Sequence, residues 1–145
     1  MFLENTVRSG PMRILVADDS ALLRHLVKRY LQGLGFQARY VADGEHAIGE
    51  IYAEPLDLFI VGLKLPFGEG FQVIQAARCQ HPRARIIAIS SLSEEWARQT
   101  AFQQGADHFL LKPFTQAEFR EVLGRAVSET SGYGASPTLA RVRHL

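Results

Sequence analysis

Three kinds of polar side chain stand directly behind apolar runs in this chain, and their types suit charge chemistry. Asp18 and Asp19 follow Arg13-Ile14-Leu15-Val16-Ala17, Ser90 and Ser91 follow Arg85-Ile86-Ile87-Ala88-Ile89, and Lys112 follows His108-Phe109-Leu110-Leu111. Adjacent carboxylates are oxygen donors that suit either a hard cation or the positive end of a helix. Ser20 shares the capping work, yet two acids at one strand end are more than one cap needs. The serines suit helix-entry hydrogen bonding, and Lys112 offers an ammonium in front of Pro113. The run Leu58-Phe59-Ile60-Val61 ends instead in Gly62, which brings no side chain at all.

The elements that must hold these groups are legible from periodicity. Five short apolar runs alternate with helical patterns, the signature of repeated βαβ units and a parallel sheet. The first run lacks polar alternation, as a strand covered on both faces should. Leu22, Leu23, Leu26, Val27, Tyr30, Leu31 and Leu34 recur at spacings of three and four and predict one helix stripe. Gly33 or Gly35 supplies its left-handed cap. A second strand is expected over 36–41, then a helix capped by Asp43 with Ala47, Ile48, Ile51 and Tyr52 inward and Pro55 as its stop.

The third strand is expected over 56–61. Phe71, Val73, Ile74 and Ala77 mark a third helix that ends near His81-Pro82. A fourth strand spans 85–89, and a fourth helix runs from Ser93 to Gln104 with Gly105 as its stop. His108 to Leu111 forms the fifth strand. Thr115-Gln116-Ala117-Glu118 is a capping box, and Phe119, Val122, Leu123 and Ala126 carry that last helix to about Val127. In an open parallel sheet, ligands gather outside the carboxyl ends of the strands, so Asp18, Asp19, Gly62, Ser90, Ser91 and Lys112 share one crevice.

Composition bounds the function. The chain has 145 residues, 47% hydrophobic and 21% charged, with a formal net charge of +1, which suits one soluble domain and gives no basis for nucleic-acid attraction. No signal peptide or membrane span is expected. The single cysteine, Cys79, is read as an ordinary packing thiol beside Ala76 and Ala77, consistent with the cytoplasm. His25, His46, His81, His108 and His144 show no metal-ligand spacing. Residues 1–12 read as an N-terminal extension, 13–127 as the domain, and 128–145, rich in Ser, Gly, Thr and Pro to Pro137, as a tail or linker stub.

The ordered motifs Ile14-Leu15-Val16-Ala17-Asp18-Asp19-Ser20, Ala42-Asp43-Gly44-Glu45, Leu65-Pro66 with Glu69-Gly70, Ser90, and Gly105-Ala106-Asp107 leading to Lys112-Pro113-Phe114 resemble those of bacterial response-regulator receiver domains. The resemblance implies a flavodoxin-like doubly wound (βα)5 fold with a five-stranded parallel sheet. It matches Asp18 and Asp19 to the acidic pair that helps hold magnesium, Ser90 to the switch hydroxyl, Phe109 to the switch aromatic and Lys112 to the phosphoryl-contacting lysine. Gly62 falls on the phosphoacceptor aspartate. It also implies a cis Lys112-Pro113 bond.

A glycine cannot form an acyl phosphate, so the resemblance implies a pseudo-receiver that is not an enzyme and acts by protein contacts. Asp18 and Asp19 alone would hold Mg2+ weakly or not at all, and no other cofactor is expected. Lys64, two residues beyond Gly62, is the expected charge substitute reaching Asp18 or Asp19. Expected partners are a histidine kinase, an output domain or another signalling protein, or a second copy through the face of the fourth helix, fifth strand and fifth helix. Trp96 is the interface candidate there. Two rivals remain open: a phosphorylatable receiver inactivated by substitution at Gly62 or using another acceptor, and a flavodoxin-like small-molecule binder. The latter lacks a glycine-rich phosphate loop after the first strand.

Overall fold

A computed structural model of the chain describes residues 10–66 and 69–130. The strands are β1 (Ile14–Ala17), β2 (Arg39–Val41), β3 (Leu58–Gly62), β4 (Arg85–Ser90) and β5 (His108–Leu111). Between and after them run α1 (Ala21–Gly33), α2 (Gly44–Ala53), α3 (Glu69–Gln80), α4 (Glu95–Gln104) and α5 (Gln116–Glu129). All neighbouring strands pair in parallel in the order β2-β1-β3-β4-β5.

Side chains alternate across this sheet and build two cores, one on each face. Leu15, Ala17, Phe59, Val61, Ile86 and Ala88 face α2, α3 and α4, meeting Ala47, Ile51, Val73, Ile74, Ala77, Ala97 and Ala101. Ile14, Val16, Leu58, Ile60, Ile87 and Ile89 face α1 and α5, meeting Leu23, Val27, Leu31, Phe119, Leu123 and Val127. Burial of a side chain such as Phe59 or Phe119, both essentially sealed from solvent, contributes roughly 2–3 kcal/mol. Burial on both faces explains the uninterrupted apolar strands.

Several boundaries differ from the periodicity, each for a local reason. β2 is shorter than expected because the Phe36 N–H bonds Leu31 O and the Gly35 N–H bonds Gln32 O, a Schellman cap that takes Phe36 out of the ladder. Gly35 turns there at φ +88°. Gly105 ends α4 the same way at φ +128°, with the Ala106 N–H on Ala101 O. β3 starts at Leu58 because Asp57 is engaged in joining the first strand's entry, its Oδ2 accepting the Arg13 N–H at 2.8 Å. It extends to Gly62, which aligns with Ile89 of β4.

α4 starts at Glu95 rather than Ser93, with no side-chain bond at its cap residue Glu94. The expected capping box at Thr115 and Glu118 is formed. α5 runs on through Ser128 and Glu129, and Met12 is buried in the α1/α5 core, so regular packing passes both expected domain edges. The rest of the tail, 131–145, lies outside the described residues.

Three inward assignments are corrected. Leu22 is 79% exposed and Tyr52 64% exposed, because each lies off the stripe of its helix that meets the sheet. Cys79 is exposed rather than packed; Ala77, two residues earlier, is the residue that turns inward.

Candidate functional site

β1 delivers Asp18 to the crevice as a buried residue, 2% exposed, while Asp19 points to solvent. The backbone N–H of Ser20 donates to Asp18 Oδ1 at 2.9 Å, and the Ser20 hydroxyl then caps α1 by accepting from Leu23 N–H at 3.1 Å. The cap is therefore Ser20, and Asp18 orders the turn that precedes it. Lys112 Nζ donates to Asp18 Oδ2 at 3.0 Å, forming an ion pair whose acid is almost completely enclosed.

This contact spans the sheet. β3 and β4 separate β1 from β5, so the lysine reaches over the ends of both. The lane is open because Gly62 brings no side chain: a Cβ built there would fall on Asp18 Oδ2 and lie 2.9 Å from Asp18 Cγ. The Asp18 carboxylate fills the volume that a side chain at position 62 would use. Gly70, in the first turn of α3, closes the other side of Gly62, since a Cβ there would be 2.5 Å from the Gly62 carbonyl oxygen.

Lys112 is aimed by its backbone, whose N–H donates to Ser90 O at 2.7 Å, and its bond to Pro113 is cis. Ser90 is buried, and its Oγ accepts the Leu92 N–H at 2.8 Å, a local turn bond. Ser91 is exposed. Phe109 is half-buried against the core shared with α4. Lys64, expected to serve as the charge substitute, is exposed; the cation on Asp18 is Lys112. Trp96 is 55% exposed, with its ring 6.4 Å from that of Phe71.

Arg24 was not singled out by the sequence, and Glu69 entered only within the Glu69-Gly70 motif, without its partner. Arg24 Nη1 donates to the Asp18 carbonyl at 2.7 Å, which adds a second cation beside the acidic pair. Its signal is its place in the first turns of α1, close enough to fold back on the strand end. Glu69 Oε1 accepts the Gly44 N–H at 2.8 Å and ties the start of α3 to the start of α2. No local sequence pattern announces that pairing.

Charges elsewhere are paired away from the crevice. His46 Nδ1 meets Asp43 Oδ1 at 2.8 Å at the head of α2. The backbone N–H and then the ring of His46 hold Asp43 below the ordinary carboxylate range, and the same side-chain bond raises His46. Burial raises Tyr40. At the opposite end of the sheet, Asp107 binds Arg78 at 2.5 Å and Arg85 at 3.1 Å. His81 meets Ile51 O and His108 meets Glu129, His25 is exposed, and His144 lies outside the described residues.

The donor set does not fit the magnesium ion that the resemblance implies. Asp18 spends its oxygens on Ser20 and Lys112, which leaves Asp19 as the open carboxylate of the pair. Among the described residues, no three His, Cys, Asp or Glu side chains gather in a metal-binding group, far short of the octahedral oxygen set that Mg2+ demands. No described helix is long and apolar enough to cross a membrane.

Known proteins share this architecture. The transcriptional regulatory protein QseB of Haemophilus influenzae is 30% identical over 122 residues, covering 84% of this chain and 55% of the relative. The chain thus spans about half the length of the curated relatives it matches. A CheY-like receiver domain from Methanospirillum hungatei superposes with a TM-score of 0.78 at 22% identity, over 83% of this chain and 96% of the other. The receiver domain of sensor histidine kinase PA1611 from Pseudomonas aeruginosa, solved with a magnesium ion in its active site cleft, gives 0.74 at 26% identity over 82% and 99%. The family described as response regulator receiver domain matches residues 14–124. With a five-stranded parallel sheet, its acidic crevice and that match over most of its length, this chain belongs to the response regulator receiver domain family.

Proposed function

We propose that this receiver is an atypical one that signals through protein contacts without aspartyl phosphorylation, Gly62 standing at the acceptor position. One observation carries the reading: at the carboxyl end of β3, where the crevice is centred, the residue is a glycine whose side-chain volume is taken by Asp18. Acyl phosphate formation needs a carboxylate that can attack phosphorus, and Asp18 is buried and ion-paired. Mg2+ binds weakly at most, no other cofactor is used, and the domain is not an enzyme.

Contact then falls to the surface. The face of α4, β5 and α5 exposes Trp96 and Leu111, at 55% and 43%, and large aromatic side chains favour interfaces. The partner is a histidine kinase, an output domain or another signalling protein, with a second copy on the same face as the homotypic form. Nucleic acid is not bound by this domain itself, and the setting is cytoplasmic. The transcriptional-regulator names of several relatives support an output domain as the partner class.

Incubation with acetyl phosphate and magnesium, followed by intact-mass measurement, tests this. The expected mass is unchanged. A stoichiometric phosphoryl adduct would instead establish the rival, a phosphotransfer-competent receiver using another acceptor.

A further inference from the structure

We infer that Asp18 and Lys112 together stand in for a bound divalent cation: the Asp18 carboxylate occupies the volume a side chain at position 62 would use, and the Lys112 ammonium is the crevice's resident positive charge. This rests on reading Gly62 as the acceptor position and deepens it by assigning the site's charge balance and its response to metal.

Three observations converge. The Asp18 carboxylate and a side chain at position 62 exclude one another, because a Cβ on Gly62 would fall on Asp18 Oδ2. That same Oδ2 holds Lys112 at 3.0 Å, so the space, the acid and the cation form one unit. Arg24 lies on the Asp18 carbonyl at 2.7 Å. The two acids Asp18 and Asp19 are matched in charge by Lys112 and Arg24, both of which lie on Asp18, so these four side chains sum to zero. A third carboxylate would leave the set one charge negative and would dislodge Asp18 from the lysine. Divalent-ion affinity follows the charge and number of oxygen ligands, so the arrangement trades metal binding for a permanent internal pair.

Lys112 is a positioning residue in this scheme. Its backbone N–H is bonded to Ser90 O, and its side chain reaches the end of β1, so the ends of β1, β4 and β5 are tied through it. The link is built from this chain's own side chains. Gly62 is what permits it.

The test is saturable Mn2+ binding, read from water-proton relaxation, on the whole chain and on Gly62→Asp and Lys112→Met, with the Ser20 amide resonance as a reporter of Asp18. The unaltered chain should bind Mn2+ about tenfold or more weakly than Gly62→Asp, and Lys112→Met should bind several-fold more tightly than the unaltered chain because Asp18 is released to join Asp19. The Ser20 amide should shift in Gly62→Asp as Asp18 is displaced.

Equal Mn2+ affinity in the unaltered chain and a folded Gly62→Asp overturns the inference, as does an unmoved Ser20 amide in that variant. Should Gly62→Asp fail to fold, Lys112→Met decides alone, and an affinity unchanged from the unaltered chain overturns it. A phosphoryl adduct on the unaltered chain would sink the non-phosphorylating reading through a different measurement, so the two failures are told apart.

Discussion

Removing the Lys112 ammonium should expose how much the enclosed ion pair holds. Two unit charges 3.0 Å apart attract by about 5 kcal/mol at an effective dielectric of about 20. Part of that is offset by desolvation of Asp18, whose side chain is 3% exposed, and part is screened at Lys112, which is 24% exposed. Lys112→Met keeps the aliphatic stem but leaves Asp18 enclosed with, among the described residues, the Ser20 N–H as its remaining side-chain partner. Breaking an enclosed pair on one side is costlier than removing both charges, so the single variant should lose about 2–3 kcal/mol of stability.

Urea unfolding reads this directly. With a slope of about 2 kcal/mol per molar for a domain of this size, the midpoint should fall by about 1–1.5 M with the slope unchanged. The double variant Asp18→Asn with Lys112→Met should recover more than half of the loss, giving a coupling energy of about 1.5–2 kcal/mol. A Lys112→Met midpoint within about 0.2 M of the unaltered chain, or strictly additive single variants, would refute the claim that the pair is an enclosed and coupled unit.

Three further outcomes are expected. In an NMR titration, His46 should protonate above its ordinary value of 6.5 because it donates to Asp43; its small contribution is full below that value and is lost as pH rises through the raised one, while that of Asp43, held below 3.8, is lost as pH falls through its lowered value. Asp107→Ala removes two arginine partners and the acceptor for the Ile86 N–H, and should lower the urea stability by about 2–3 kcal/mol. Gly70→Ala would press a methyl group within 2.5–2.6 Å of the Gly62 and Leu63 backbone. Backbone cannot yield as a side chain does, so thermal unfolding should show a loss of about 2 kcal/mol or more.

The sheet was readable because its strands are enclosed on both faces, so Ile14–Ala17 and Arg85–Ser90 carry their own signal. β2 was overextended because a Schellman cap and an edge strand share Phe36, and apolarity alone does not say which backbone partner wins. Leu22 and Tyr52 were misplaced because a helix stripe read from spacing is wider than the strip that touches a sheet.

At the crevice, residue types were legible while their pairing was not. Lys64 and Lys112 both offered a cation, and sequence distance favoured Lys64. The sheet order and the Ser90 carbonyl instead aim Lys112, from 94 residues away, across a gap that only Gly62 leaves open. Arg24 escaped notice because its partner is a backbone carbonyl, which no residue pattern encodes.

A second set of contacts, centred on an arginine, lies at the other end of the sheet. Arg78 gathers the carbonyls of Pro82, Ala84 and Gly105 together with Asp107, fastening α3 to the entrances of β4 and β5. That clamp is anchored at the strand beginnings and shares no residue with the pairs around Asp18. The beginnings of β4 and β5 are therefore held by a set of contacts separate from those at the strand endings, so a change at one end does not remove the fastening at the other.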